Sequence, residues 1–122
     1  MKEVIAIIRP SMINKTKEVL DVLDHPGLTA LSVFGRGRQK SMLNEVESIK
    51  NNPELQQQPG QMDYIPKRLL SIVVPDEDLN LVVEAIMKIN STGNIGDGKI
   101  FVCPIEDSIR VRNRDKGLES LV

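Results

Sequence analysis

Apolar and polar positions along the chain trace the same plan twice. Val4-Ile5-Ala6-Ile7-Ile8 is a continuous apolar run closed by Arg9-Pro10, and it reads as a strand. From Asn14 to Leu23 the period changes, placing Thr16, Val19, Leu20 and Leu23 on one helical face with Asn14 as the N-cap. His25-Pro26-Gly27 stops that helix, and Thr29 to Lys40 reads as a second strand. The second half repeats the order. Leu69 to Val74 is a strand closed by Pro75, and Asp76 caps a helix whose Leu79, Val82, Val83, Ile86 and Ile89 share a face. Gly93 to Gly98 then turns the chain into a strand from Lys99 to Cys103.

This βαβ–βαβ order predicts one α+β domain of ferredoxin-like plan: an antiparallel four-stranded sheet with two helices on one face. The uncovered face must be solvated or buried by a partner, so a homo-oligomer is expected. From Ser41 to Pro66 lies a polar insertion containing Asn51-Asn52-Pro53 and Gln56-Gln57-Gln58-Pro59-Gly60. Leu43, Val46 and Ile49 recur within it at a spacing that would form a short amphipathic turn against a partner. Long loops inside compact domains are uncommon and tend to be functional, so the insertion reads as an effector loop.

Composition narrows the function. Of 122 residues, 40% are apolar and 27% charged, the balance of an ordinary soluble domain, and no run reaches the length of a membrane span. One tyrosine, two phenylalanines and no tryptophan leave little to stack on nucleic-acid bases. The single cysteine, Cys103, rules out an internal disulfide, fits a reducing cytoplasm, and sits in an apolar run as a buried thiol. The one histidine, His25, has no cysteine or histidine cluster around it to suggest zinc.

The formal net charge of −1 hides a local segregation. Bases gather at strand ends, among them Arg9, Arg36, Arg38, Lys40, Lys67, Arg68, Lys99, Arg110 and Arg112, which favours a small, multiply charged anion as ligand. Thr92-Gly93-Asn94-Ile95-Gly96-Asp97-Gly98-Lys99 carries the strongest chemical signal. Glycines let backbone amides approach an anion, and the lysine adds a mobile charge. The order is helix, glycines, strand, so it is not a Walker-type loop; a tight turn with glycine at the helix C-cap is the plain alternative. In Ile109-Arg110-Val111-Arg112 a strand period of two would point both guanidinium forks to one face, as suits a phosphate or an edge-strand guard. Gly35-Arg36-Gly37-Arg38-Gln39-Lys40 ends a strand where the insertion departs.

Taken together, Ile7-Ile8-Arg9-Pro10, Gly35 to Lys40, Ile72-Val73-Val74-Pro75-Asp76, Thr92 to Val102 and Ile109 to Arg112 resemble the PII signal-transduction family of nitrogen-status sensors. The likeness covers residues 1–122 as a single PII-like domain. It implies a regulator rather than an enzyme, a homotrimer with nucleotide sites between subunits, and a target-docking T-loop spanning residues 37–66. By resemblance, Lys99, Arg110 and Arg112 would grip the phosphates of ATP or ADP, and Gly96, Asp97 and Gly98 would shape the turn that receives them. Gly35, Gly37 and Arg38 belong to the same implied site, with Thr29 and Val73 along the adenine and ribose. Gln39 would help to hold Mg²⁺ beside ATP and 2-oxoglutarate, with Lys40 nearby and Lys67 on a carboxylate of the keto acid.

The chain departs from the common pattern in its longer T-loop, in Arg36 where phenylalanine is usual, and in lacking the Tyr-Arg-Gly-x-x-Tyr stretch that is uridylylated in many bacterial members. Its only tyrosine, Tyr64, lies near the loop's end, and Ser41 or Ser48 are the serines open to phosphorylation there. The longer loop resembles the nitrogen-fixation branch of archaea and anaerobes, which acts on nitrogenase with a companion PII-like subunit. A general PII-type regulator of ammonium transport or glutamine synthetase is the alternative, and a small acylphosphatase-like enzyme on the same fold is the remote one. No nucleic acid and no membrane insertion are expected.

Overall fold

The computed structural model describes residues 1–36 and 64–122. Four strands, β1 (Lys2–Ile8), β2 (Thr29–Arg36), β3 (Tyr64–Val74) and β4 (Gly98–Pro104), alternate with two helices, α1 (Ile13–Val22) and α2 (Leu79–Asn90). The sheet order is β2-β3-β1-β4 and all three pairings are antiparallel. This is the ferredoxin-like plan that the repeated pattern predicts.

Alternation along the strands sets the two faces of the sheet. Val4, Ala6 and Ile8 on β1 and Leu70, Ile72 and Val74 on β3 are buried against the helices. Leu20 from α1 and Val82 and Ile86 from α2 close that core. One polar pair ties the helices together inside it. Asn90 Nδ2 donates to Thr16 Oγ1 at 3.1 Å and to the Ile86 carbonyl at 2.9 Å, while the Thr16 hydroxyl donates to the Met12 carbonyl at 2.7 Å. A buried polar group without a partner is costly, so this pairing fixes which turn of α1 meets the end of α2. The opposite face presents Ile5, Ile7, Leu69 and Phe101 with no helix over them among the described residues, and Leu31 and Phe101 are about half exposed.

Neither helix starts where its expected cap would put it: α1 already begins at Ile13, ahead of Asn14, and α2 begins only at Leu79, beyond Asp76. A proline with fixed φ and no N–H starts a short 3-10 turn at Pro10–Met12, and the turn Asp76–Asp78 follows Pro75. Asn14 therefore lies inside α1, and neither Met12 nor Asp78 at the N-cap positions makes a side-chain capping bond. The Asp76 carboxylate instead pairs with the Met1 ammonium at 3.0 Å. His25, placed by the turn after α1, meets Asp78 at 3.1 Å.

β3 is longer than the apolar run Leu69–Val74. Beyond Arg68 it has β2 on one side only, and on such an edge Pro66 is tolerated. Residues 64–66, expected in the loop, thus belong to the strand. The last rung pairs Arg36 with Tyr64, and the Arg36 guanidinium lies 5.9 Å from the Tyr64 ring centroid. The C-terminal region also differs from expectation. Ile109 to Arg112 is not a strand: a single bridge joins Ile109 to Lys116, and the intervening residues turn. Arg110 N donates to the Asp115 carbonyl and Arg114 N to the Arg110 carbonyl, both at 2.8 Å, with Arg114 at φ 64°. The turn breaks the period of two, so Arg110 and Arg112 do not share a strand face. Cys103 is half-buried rather than buried.

Ile86 is 1% exposed at the centre of the helix–sheet core. Ile86→Ala is expected to destabilise the fold by about 2–5 kcal/mol, through lost burial and a residual cavity, measured by urea unfolding.

Candidate functional site

The chemistry converges at the end of the sheet where β1 finishes and β4 begins. The loop between α2 and β4 is organised around one carboxylate. Asp97 Oδ2 accepts from the backbone N–H of Thr92 at 2.7 Å and of Gly93 at 3.0 Å. Asp97 Oδ1 accepts from the Thr92 hydroxyl and from Arg9 Nη1, each at 2.5 Å. Arg9 Nη2 donates onward to the Ile95 carbonyl at 3.1 Å. The Thr92 hydroxyl, Arg9 and the two amides hold the Asp97 carboxyl well below the usual carboxylate range.

Gly98 brings this loop onto the sheet. At φ 118° it sits where a Cβ would lie 2.0 Å from the Ile7 carbonyl oxygen, so no other residue fits without displacing backbone. The N–H groups of Thr92, Gly93 and Asn94 are spent inside the loop, on Asp97 and on the Thr92 hydroxyl. The glycine segment therefore supplies shape, and side chains supply the charge.

Beside the loop on the uncovered face of the sheet is a cleft of about 390 Å³, lined by Ile7, Gly35, Arg36, Ile65, Lys67, Ile95, Gly96, Gly98, Lys99 and Phe101. Its floor is apolar and its rim carries cations. Lys67 is 9% exposed, with Nζ donating to the Gly96 carbonyl at 2.7 Å. Burial pushes the Lys67 ammonium below the ordinary lysine range and the Arg9 cation adds to this, while Asp97 opposes both. Lys99 is exposed at the start of β4. A small anion in this cleft would meet two lysines over apolar walls, where charges are less screened than in open water.

The structure divides the residues expected at the site. Gly35, Lys67, Gly96, Gly98 and Lys99 line the cleft, with Asp97 as the staple behind it. Thr29 and Val73 lie towards the other end of the sheet. Thr29 is six residues along β2 from Gly35, and Val73 is six along β3 from Lys67, roughly 20 Å in each case. Arg110 and Arg112 follow β4 where it leaves the sheet at that far end, with Ile105 N bonded to the Met1 carbonyl at 3.1 Å. Gly37, Arg38, Gln39 and Lys40, the insertion with Leu43, Val46 and Ile49, and Ser41 and Ser48 lie outside the described residues. Arg9 is the functional residue that pattern reading places only among strand-end bases. Its position directly before Pro10, at the end of the strand that pairs with β4, is the signal that was available.

The fold is thus a ferredoxin-like sheet with a stapled glycine loop and a lysine-rimmed cleft at one end. Residues 1–115 match the family model described as "Nitrogen regulatory protein P-II", and the chain belongs to that family of regulatory proteins rather than enzymes. It is 60% identical to the "Nitrogen fixation nifHD region GlnB-like protein 2" of Methanobacterium ivanovii, over the full length of both chains. It is 58% identical to a protein of the same description from Methanococcus maripaludis, over 96% of this chain and 97% of the relative. The "Nitrogen fixation nifHD region GlnB-like protein 1" of M. ivanovii is 36% identical, over 97% of this chain and all of the relative. The chain is thus a PII-type nitrogen regulatory protein whose relatives are named for nitrogen-fixation gene regions. Among the described residues no helix is long and apolar enough to cross a membrane.

An unfolded aspartate titrates near ~3.9, whereas folded Asp97 keeps its charge to lower pH, so its stabilisation is complete above that value and drains away as pH falls. Asp97→Asn is expected to lower Tm at neutral pH, and the gap to the wild type is expected to narrow between about pH 5 and about pH 2. A gap that stays constant across that range would refute the staple. Gly98→Ala is expected to destabilise at every pH, because the added Cβ meets the Ile7 carbonyl.

Proposed function

We propose that this protein senses nitrogen status by binding ATP or ADP with Mg²⁺, together with 2-oxoglutarate, and controls nitrogenase through residues 37–66. The observation that carries the reading is the cleft itself, where Lys67 and Lys99 stand over a glycine loop stapled by Arg9 and Asp97. Three phosphates and a dicarboxylate repel one another, so a shared site needs several cations. The cleft residues fit that demand: Lys99 takes a nucleotide phosphate and Lys67 a carboxylate of the keto acid. Mg²⁺ arrives on the phosphates and offsets their charge, with Gln39 as its expected protein oxygen and Gly37, Arg38 and Lys40 at the root of the loop.

The separation of Thr29, Val73, Arg110 and Arg112 from the cleft supports a site completed by a neighbouring copy. Residues at the far end of one sheet meeting the near end of the next make a head-to-tail contact, which forms a ring where its rotation closes. The family resemblance gives three subunits. In that arrangement Thr29 and Val73 line adenine and ribose, and Arg110 and Arg112 reach the phosphates across the seam. The half-exposed Leu31 and Phe101 support burial of the uncovered sheet face in the same assembly. The occurrence of both a protein 1 and a protein 2 in M. ivanovii supports a companion subunit.

Effectors act here by differential affinity. Only a ligand set that favours one loop state over another can shift what the target meets. Low 2-oxoglutarate, reporting nitrogen sufficiency, leaves the regulator holding nitrogenase inactive, and high 2-oxoglutarate with ATP releases it. The names of the relatives favour nitrogenase over ammonium transport or glutamine synthetase as the target.

Calorimetry is expected to show 2-oxoglutarate binding only with ATP and Mg²⁺ present; equal binding without them would refute the shared site. Lys99→Ala is expected to weaken ATP by roughly ten- to a hundredfold, the scale of one lost charge-assisted hydrogen bond, without changing the oligomer. Because Lys67 loses its proton at lower pH than an ordinary lysine, 2-oxoglutarate affinity is expected to fall as pH rises through that lowered value. Lys67→Met is expected to abolish this alkaline limb.

A further inference from the structure

The hairpin after β4 treats its two arginines differently. The Arg112 side chain is exposed and makes no hydrogen bond or ion pair among the described residues. Arg110 is engaged through both terminal nitrogens. Its Nη1 donates to Asp115 Oδ2 at 3.2 Å, and its Nη2 donates to the carbonyls of Glu119 at 3.1 Å, Ser120 at 3.3 Å and Val122. Those carbonyls belong to or follow the 3-10 turn Gly117–Leu121, whose last C=O groups have no partner within the turn. The turn is itself tethered, because Gly117 N donates to the Ser108 carbonyl at 2.9 Å and to Asp107 Oδ1 at 3.2 Å.

We infer that residues 115–122 are an internal competitor for the anion that Arg110 binds, so that nucleotide and this segment exclude each other on one guanidinium. The inference rests on the nucleotide reading above and adds a regulatory contact to it. A guanidinium grips phosphate with the paired N–H groups of its terminal nitrogens. In Arg110 both terminal nitrogens already face Asp115 and the turn carbonyls. A phosphate can take that fork only by displacing them. Arg112, which has nothing to release, makes the first contact, and Arg110 joins once the segment lets go. The displacing anion must offer more charge than one carboxylate and three carbonyls. A triphosphate meets that demand better than a diphosphate, so the segment favours ATP over ADP.

Hydrogen exchange on the full-length wild type, with and without saturating ATP, tests this without a substitution. The expected result is faster exchange across residues 117–122 when ATP is bound. In Arg110→Ala the same residues should exchange fast without ATP and show no further change with it. Asp115→Asn, which weakens the internal grip, is expected to tighten ATP by about threefold, the scale of an exposed ion pair. Unchanged or slower exchange at 117–122 in an ATP-saturated wild type would overturn the inference while leaving nucleotide binding intact. A wild type that binds no ATP by calorimetry would instead remove the nucleotide reading on which it stands.

Discussion

The Asp97 carboxylate is the point on which the functional end of the molecule depends. It gathers two backbone amides, a hydroxyl and the Arg9 guanidinium, and so converts a glycine-rich segment of high conformational freedom into one shape. Arg9 ends the first strand and Asp97 precedes the last, so this contact also locks together the two ends of the chain's fold. Gly98 against the Ile7 carbonyl completes the lock. Neither contact uses the lysines. The lysines of the cleft rim are thereby separate from the pair that holds the loop, and Lys67 meets the loop at the Gly96 carbonyl.

The sheet has two chemically different ends. At one end the strands stop beneath the stapled loop and present cations. At the other, β4 hands the chain to the hairpin, and Thr29 and Val73 lie towards that side. No side chain can span the distance between them. The proposed site between two copies would bridge that separation, and the apolar sheet face, which has no helix over it among the described residues, is surface such a contact would bury.

Much of this was legible in the sequence. Apolar runs gave β1 and the inner half of β3, and helical spacing gave α1 and α2, because those elements carry the buried core. Lys67, Lys99, Gly96 and Gly98 could be nominated because glycines and bases concentrate there. What local pattern could not show were contacts between remote residues. Arg9 and Asp97 are 88 positions apart, and nothing near Arg9 announces its partner. The helix starts were misplaced because a 3-10 turn precedes each helix, so that α1 already runs at Asn14 while α2 begins only after Asp76–Asp78. Arg110 and Arg112 looked equivalent because alternation assumes a strand. The Asn113, Arg114 and Asp115 turn removes it: Asp115 accepts from the Asn113 amide at 3.0 Å and from the Arg110 guanidinium.

The rung that joins Arg36 to Tyr64 has a practical consequence. The chain holds one tyrosine and no tryptophan, so its near-ultraviolet emission comes from a single chromophore under a cation at the last pair of β2 and β3. Tyr64 begins the strand that carries Lys67, next in sequence to the cleft-lining Ile65. The native protein thus contains its own optical reporter at the last rung of β2 and β3, with no label to be introduced.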